Sequence, residues 1–357
     1  MENGRARAPG FVRSLLTRDV RTLTLFIMLV ILAAFFSALN PKNFPSVPNL
    51  RSMMLQMAET GVFALAMFIV MISGGLNLSI VMLANMSAAF MAMVTTGMVL
   101  GGALATPTAR VVVGVAVALA TGVLGGALNG LFVSHFGLNA LLVTTATSQL
   151  FEGIAQLITK GGSIVNTIPS VVLFGNGYVW GLVPNVFVLT LLCYLLAAVF
   201  ANMTKYGENA RLLGANTVAN QYCGNNNKRT LMTAYIISGL FSAVGGTVKI
   251  VKMGIVRSEY GSTLSSQALL TLVLAGLLLI GGIGKVSNTL LSLCILQVIS
   301  SGLNLAGITT YMKSVCWGFM LILIVLINTP VFKEFLRKLG IRRRKRSGGG
   351  GIPQEGI

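Results

Sequence analysis

Few residues among these 357 carry chemistry of their own: eight carboxylates and one histidine stand against 41 glycines and a 55% hydrophobic majority. Glu152 is the most suggestive of them. With Thr145, Gln149 and Gln156 it falls at offsets that put all four on one helix face. Amides and hydroxyls supply the paired donors and acceptors that a polyhydroxylated solute needs, so the stripe suits a path for such a molecule. It would equally serve to join helices through hydrogen bonds of about 0.6 kcal/mol each. Glu59 is the other carboxylate inside an apolar run; it stands near one end of that run, where it is expected to reach the membrane interface. His135 sits at a helix end and is read as an interfacial residue, not a ligand.

Several chemistries are excluded. A proton relay needs chains of ionisable groups within the membrane, and this chain does not supply them. The segment Gly281-Gly282-Ile283-Gly284-Lys285-Val286-Ser287 looks superficially like a phosphate-binding loop. It lacks the first glycine at the required spacing, and Val286 takes the place of the Ser or Thr that would hold magnesium. No Ser/Lys, paired-Asp or His-Glu metal constellation falls at productive spacing, so the chain is not expected to be an enzyme. Cys193, Cys294 and Cys316 lie in apolar runs and Cys223 in a loop, which indicates neither a disulfide framework nor a metal site.

The elements that must position these residues are long apolar runs. A bilayer core takes roughly 20 apolar helical residues, and a backbone crossing it must satisfy its own hydrogen bonds. Ten spans are read at about 22–39, 52–73, 80–100, 111–133, 139–159, 184–202, 231–250, 267–281, 287–305 and 311–329. Those at 80–100, 267–281 and 287–305 are the ones whose full crossing stays open. The expected fold is an all-α polytopic membrane protein. Only 10% of residues are charged, against about 25% in soluble domains, and no polar stretch is long enough for a second domain. The run from Leu23 to Leu39 exceeds the usual 7 to 15 residues of a signal core and is read as an uncleaved first helix.

The formal net charge of +18 is distributed unevenly. With the N-terminus inside, the cytoplasmic side receives a basic segment at 1–21, the bases between 203 and 230, Lys285 and a basic, glycine-rich tail at 330–357. Lys42, Arg51, Arg110, Lys160, Lys252, Arg257 and Lys313 fall outside, with Lys249 near the interface. This follows the positive-inside rule, places both termini in the cytoplasm and makes the tail a lipid anchor, not a nucleic-acid site. Gly122, Gly126 and Gly130 form a smooth ridge for close helix approach, within one chain or between two.

Several motifs together resemble one family, the membrane permease subunits of ABC importers for ribose, related monosaccharides and a furanosyl autoinducer. They are Ser73-Gly74-Gly75-Leu76-Asn77-Leu78-Ser79, Gly161-Gly162, Gly281, Gly282 and Gly284 with Thr289-Leu290, and Gly302-Leu303-Asn304-Leu305. The likeness runs from about Asn49 to the tenth span. It implies a permease homodimer or heterodimer, ATP-binding cassette ATPase subunits on the cytoplasmic face, a periplasmic or lipid-anchored solute-binding protein and a bacterial inner membrane. ATP and Mg would belong to the partner ATPase, with no cofactor in this chain. The cytoplasmic loop at 203–230 would hold the coupling helix, with Asn216, Ala219 and Gly224 matching the family pattern and Asn220 at a position commonly Ala. The family usually has Asp at Asn77, Arg at Glu152 and an acidic residue near Gln267.

The expected function is that of a permease subunit translocating a sugar or similar small polar solute, with an ion-coupled secondary transporter as the alternative. Asn77, Ser79, Gln149, Glu152 and Asn304 are the expected solute-path residues, and Asn216, Ala219, Asn220 and Gly224 the expected ATPase-coupling residues.

Overall fold

The computed structural model describes residues 20–99, 106–165, 168–179, 181–277 and 281–328. The basic N-terminal segment before Val20, the basic tail and positions 278–280 of the expected eighth span lie outside the described residues. The helices are α1 (Val20–Leu39), α2 (Val47–Met71), α3 (Ile80–Thr95), α4 (Pro107–Gly130), α5 (Ala140–Thr159), α6 (Pro169–Asn176), α7 (Asn185–Met203), α8 (Lys205–Ala215), α9 (Thr217–Tyr222), α10 (Asn227–Met253), α11 (Ser262–Ala275), α12 (Val286–Leu305) and α13 (Thr310–Asn328). A π-helical turn, Leu131–His135, extends α4 and ends on the exposed His135.

Six of these helices are long and apolar enough to cross a membrane by length and composition: α1, α2, α4 with its extension, α7, α10 and α12. The other expected spans also coincide with helices, but with different credentials. The apolar helices α3, Ser262–Ala275 and Thr310–Leu326 are shorter, and α5 carries the polar stripe. At 1.5 Å per residue α11 covers about 21 Å, less than the roughly 30 Å hydrocarbon core. It also begins five residues before the expected run and stops at Gly276, whose positive φ ends the helix.

Local chemistry explains several helix starts. Ser46 and Thr106 cap α2 and α4 through their hydroxyls, each followed by a proline in the first turn, and the Asn139 side chain accepts from Leu141 N at the head of α5. Two helices make the centre. α2 is buried almost continuously from Met57 to Met71 and α3 along nearly its whole length. α10 packs across both and against α4, while α7, α11 and α12 surround α2. α1 lies outside, running alongside α12 in the same direction. Thr22 Oγ1 donates to Asn288 Oδ1 at 2.8 Å near one end, and Asn40 Nδ2 reaches Leu305 O at 3.4 Å near the other.

The glycine ridge is an intrachain device. A Cβ on Gly122 would collide with the Gly239 carbonyl and one on Gly126 with the Tyr235 carbonyl, so α4 and α10 touch backbone to backbone. The structure fits the expected all-α class, with a few short strands added between α5 and α7 and after α10. The first of these stretches holds α6, a hairpin of β2 (Tyr178–Val179) and β3 (Val183–Pro184), and β1 (Ser163–Val165), which pairs antiparallel with β4 (Ile255–Arg257). The β1–β4 pair ties the far end of α5 to the far end of α10.

Candidate functional site

The five expected path residues occupy three separate places. Asn77 and Ser79 are fully buried, in the loop that leads into α3. Asn77 Oδ1 accepts from Ser79 N at 3.1 Å and from Ser79 Oγ at 2.8 Å, while its Nδ2 donates to Ser238 Oγ at 3.0 Å. Asn129 Nδ2 in turn donates to Ser79 Oγ at 2.8 Å, and Thr147 Oγ1 to Asn129 Oδ1 at 2.6 Å. This chain of hydrogen bonds links the loop before α3 with α4, α5 and α10, satisfying polar groups that would be costly if stranded inside. It faces no cavity.

Gln149 and Glu152 lie elsewhere, on the outward side of α5. Gln149 is exposed and Glu152 half-buried with no hydrogen-bond partner among the described residues, while Gln156 Nε2 reaches Glu259 Oε1 at 3.4 Å. The polar stripe therefore turns away from the protomer's own core. A carboxylate and amides facing bare hydrocarbon are unfavourable, so this face calls for water or a second polypeptide. Asn304 is third, exposed near the end of α12, where its Oδ1 accepts from Lys313 Nζ.

A polar cavity of about 260 Å³ lies between α2, α10, α11, α12 and α13. Glu59 on α2 is buried within the protein, 3% exposed, and its Oε2 is 3.3 Å from Lys252 Nζ on α10. Gln297 on α12 donates to Gln56 Oε1 at 3.2 Å. Beside the cavity Lys249 is also buried within the protein. Its ammonium donates to Asn85 Oδ1 at 2.6 Å and stands 4.1 Å from the centre of the Tyr260 ring. Burial, and next the Glu59 charge, push the Tyr260 hydroxyl up to about 12. Among the described residues no His, Cys, Asp and Glu gather as a metal site would need.

The loop after α7 is ordered into two helices. Asn216 caps α9, its Oδ1 accepting from Val218 N and Ala219 N at 3.0 Å each. Ala219, Val218 and Tyr222 are exposed. Asn220 is buried and bonded on both sides, donating to Asn227 Oδ1 at 2.7 Å and accepting from Asn225 Nδ2 at 2.9 Å. The asparagine run thus closes the loop upon itself. Gly224 has φ +79, a conformation that resists L side chains. Behind α8, Gly214 sits so close to Gly282 N and Ile72 O that a Cβ would overlap both, and Gly282 N donates to Ile72 O at 2.9 Å.

Comparison with known proteins decides the family. Residues 49–325 match the family described as "Branched-chain amino acid transport system / permease component". The chain belongs to this permease family. The permease is 28% identical over 305 residues to the ribose import permease protein of Bacillus subtilis, covering 85% of this chain and 91% of the relative. It is 30% identical over 307 residues to the L-arabinose transport system permease protein of Escherichia coli, covering 84% and 89%. With the D-allose transport system permease protein of the same organism it shares 26% identity over 311 residues, covering 86% and 91%. No solved structure matches it.

Within the permease, sequence reasoning missed the Glu59–Lys252 pair and the Gln56–Gln297 pair. The only signal was the rarity of Glu59 in its apolar run; its partner stands 193 residues away on another helix.

Proposed function

We propose that this permease is the membrane-spanning subunit of an ABC importer for a monosaccharide or similarly polar solute, driven by ATP hydrolysed on separate subunits. The match to the permease family over residues 49–325 carries the reading. The relatives named for ribose, arabinose and allose supply the solute class.

In this reading all ten apolar helices cross or enter a bacterial inner membrane, with both termini in the cytoplasm. Two permease chains, alike or different, place their α5 faces together, and the solute passes along Gln149 and Glu152. The buried Asn77–Ser79 network braces α5 behind that path through Asn129 and Thr147, and a periplasmic or lipid-anchored binding protein delivers the solute. The ATPases seat on α8 and α9, where exposed Val218 and Tyr222 offer an apolar contact and Asn216, Ala219, Asn220 and Gly224 fix its shape. Movement there reaches the bundle through the Gly214 junction, which touches both the end of α2 and the loop before α12.

Uptake of radiolabelled ribose, arabinose and allose into cells or vesicles expressing the full system tests the reading. Uptake that is stopped by vanadate and indifferent to an ionophore is expected. Uptake stopped by the ionophore and indifferent to vanadate would replace the importer with an ion-coupled transporter.

A further inference from the structure

The cavity between α2, α10, α11, α12 and α13 has the make-up of a binding site, and it lies inside one protomer, apart from the α5 face. Its deep wall carries Glu59, whose Oε2 meets Lys252 while the buried Oε1 has no hydrogen-bond partner among the described residues. A buried carboxylate oxygen left without a donor is costly, and Glu59 lines the cavity beside Lys252. Thr263, Thr310 and Ser314 line the same cavity and are exposed, so it opens outward. The opening is at the end remote from α8 and α9, since α10 runs from the coupling loop at Asn227 to Lys252 near its far end.

The lining chooses among ligands. Two ammonium groups, Lys252 and Lys313, stand against one carboxylate, which disfavours a cation. An anion would have to approach Glu59. A neutral molecule with adjacent hydroxyls suits both, donating to the carboxylate and accepting from the ammonium. Gln267 and Gln297 add amides, while Trp317, Leu293 and Leu296 give an apolar wall that water would not require but the C–H face of a sugar ring would. At about 260 Å³ the space falls below the roughly 300–1,000 Å³ of drug-sized pockets, which limits the guest to one small ring.

We propose that this cavity is an intraprotomer binding site for a single monosaccharide-sized polyol, held by adjacent hydroxyls between Glu59 and Lys252. The identity of the guest rests on the reading of the chain as a sugar importer permease. The full chain in lipid nanodiscs, dialysed to equilibrium against radiolabelled D-ribose, D-allose and L-arabinose, tests it. Saturable binding of at least one of these sugars, one per chain, is expected. Glu59→Gln should weaken it by about tenfold, the scale of one good hydrogen bond to a charged group, and Gln297→Leu, which removes a neutral amide, by about fivefold. Thr263→Trp, placed at an exposed mouth position, should block binding without lowering the melting temperature, and so remains informative if Glu59→Gln folds poorly. No saturable binding of any of the three, or binding unchanged in Gln297→Leu and Thr263→Trp, overturns the proposal. Dialysis involves no ATP, so a chain that binds sugar here yet fails the vanadate experiment keeps the site and loses the importer reading.

Discussion

Asn77 holds Ser79 through its carbonyl oxygen and Ser238 through its amide, so Asn77→Leu strands partners inside the bundle. Each stranded group costs about 1–3 kcal/mol. The variant should melt at a clearly lower temperature in nanodiscs, and an unchanged melting temperature would show that the network is dispensable. Glu152 belongs to the other kind of polar residue: it has no hydrogen-bond partner among the described residues. Glu152→Leu should impair uptake while the chain inserts and assembles normally, and normal uptake would remove it from the path. The difference between these two residues was not legible in the sequence. Both stand in motifs or stripes of polar type, but only the fold tells which neighbours are aimed at them. Glu59 makes the same point from the other side. Its cost in an apolar run was readable, whereas periodicity within α2 carries no information about Lys252 on α10.

The helices were far more legible as elements than their ends. Hydrophobic runs mark where a helix is wanted, but the chain often stays apolar past the turn that stops it. α11 ends at Gly276, with Gly276 N bonding back to Leu272 O and Val273 O, although the apolar letters continue to Ile280. α3 ends at Thr95, with Met98 and Val99 still apolar beyond the turn. Its shortness is tolerable because nearly all of it is packed within protein, where irregular backbone at membrane depth finds partners. A single coupling helix in the 203–230 loop was expected from family resemblance, but the seat of α8 against the glycines at 281–282 was not. Gly214→Ala forces α8 away from Gly282 and Ile72. Overpacking of that kind costs about 1–3 kcal/mol, and the variant should lose uptake more than it loses stability. Full uptake in Gly214→Ala would mean that α8 does not drive the bundle through this contact.

At the scale of the whole molecule, the distribution of exposed apolar side chains fits a bilayer. Phe26, Val30, Ile31 and Phe35 on α1 and Phe319, Ile322 and Leu323 on α13 are open to the surroundings, a belt that water would not tolerate but lipid would. The centre, α2 and α3, is sealed. Three regions interrupt the belt with polarity: the α5 stripe, the Glu59 cavity and the α8–α9 segment. They correspond to a partner chain, a solute and an ATPase in the account given above. Of these the ATPase is the most exposed to test, since without it the permease has no energy source. The direct measurement is gentle purification of the tagged chain from its native host, with co-purifying proteins identified by mass spectrometry and vanadate-sensitive ATPase activity assayed. The account predicts a stoichiometric P-loop ATPase partner that is lost in Gly224→Val, where a β-branched residue is forced to positive φ. A well-folded chain that comes alone, without ATPase activity, would contradict it.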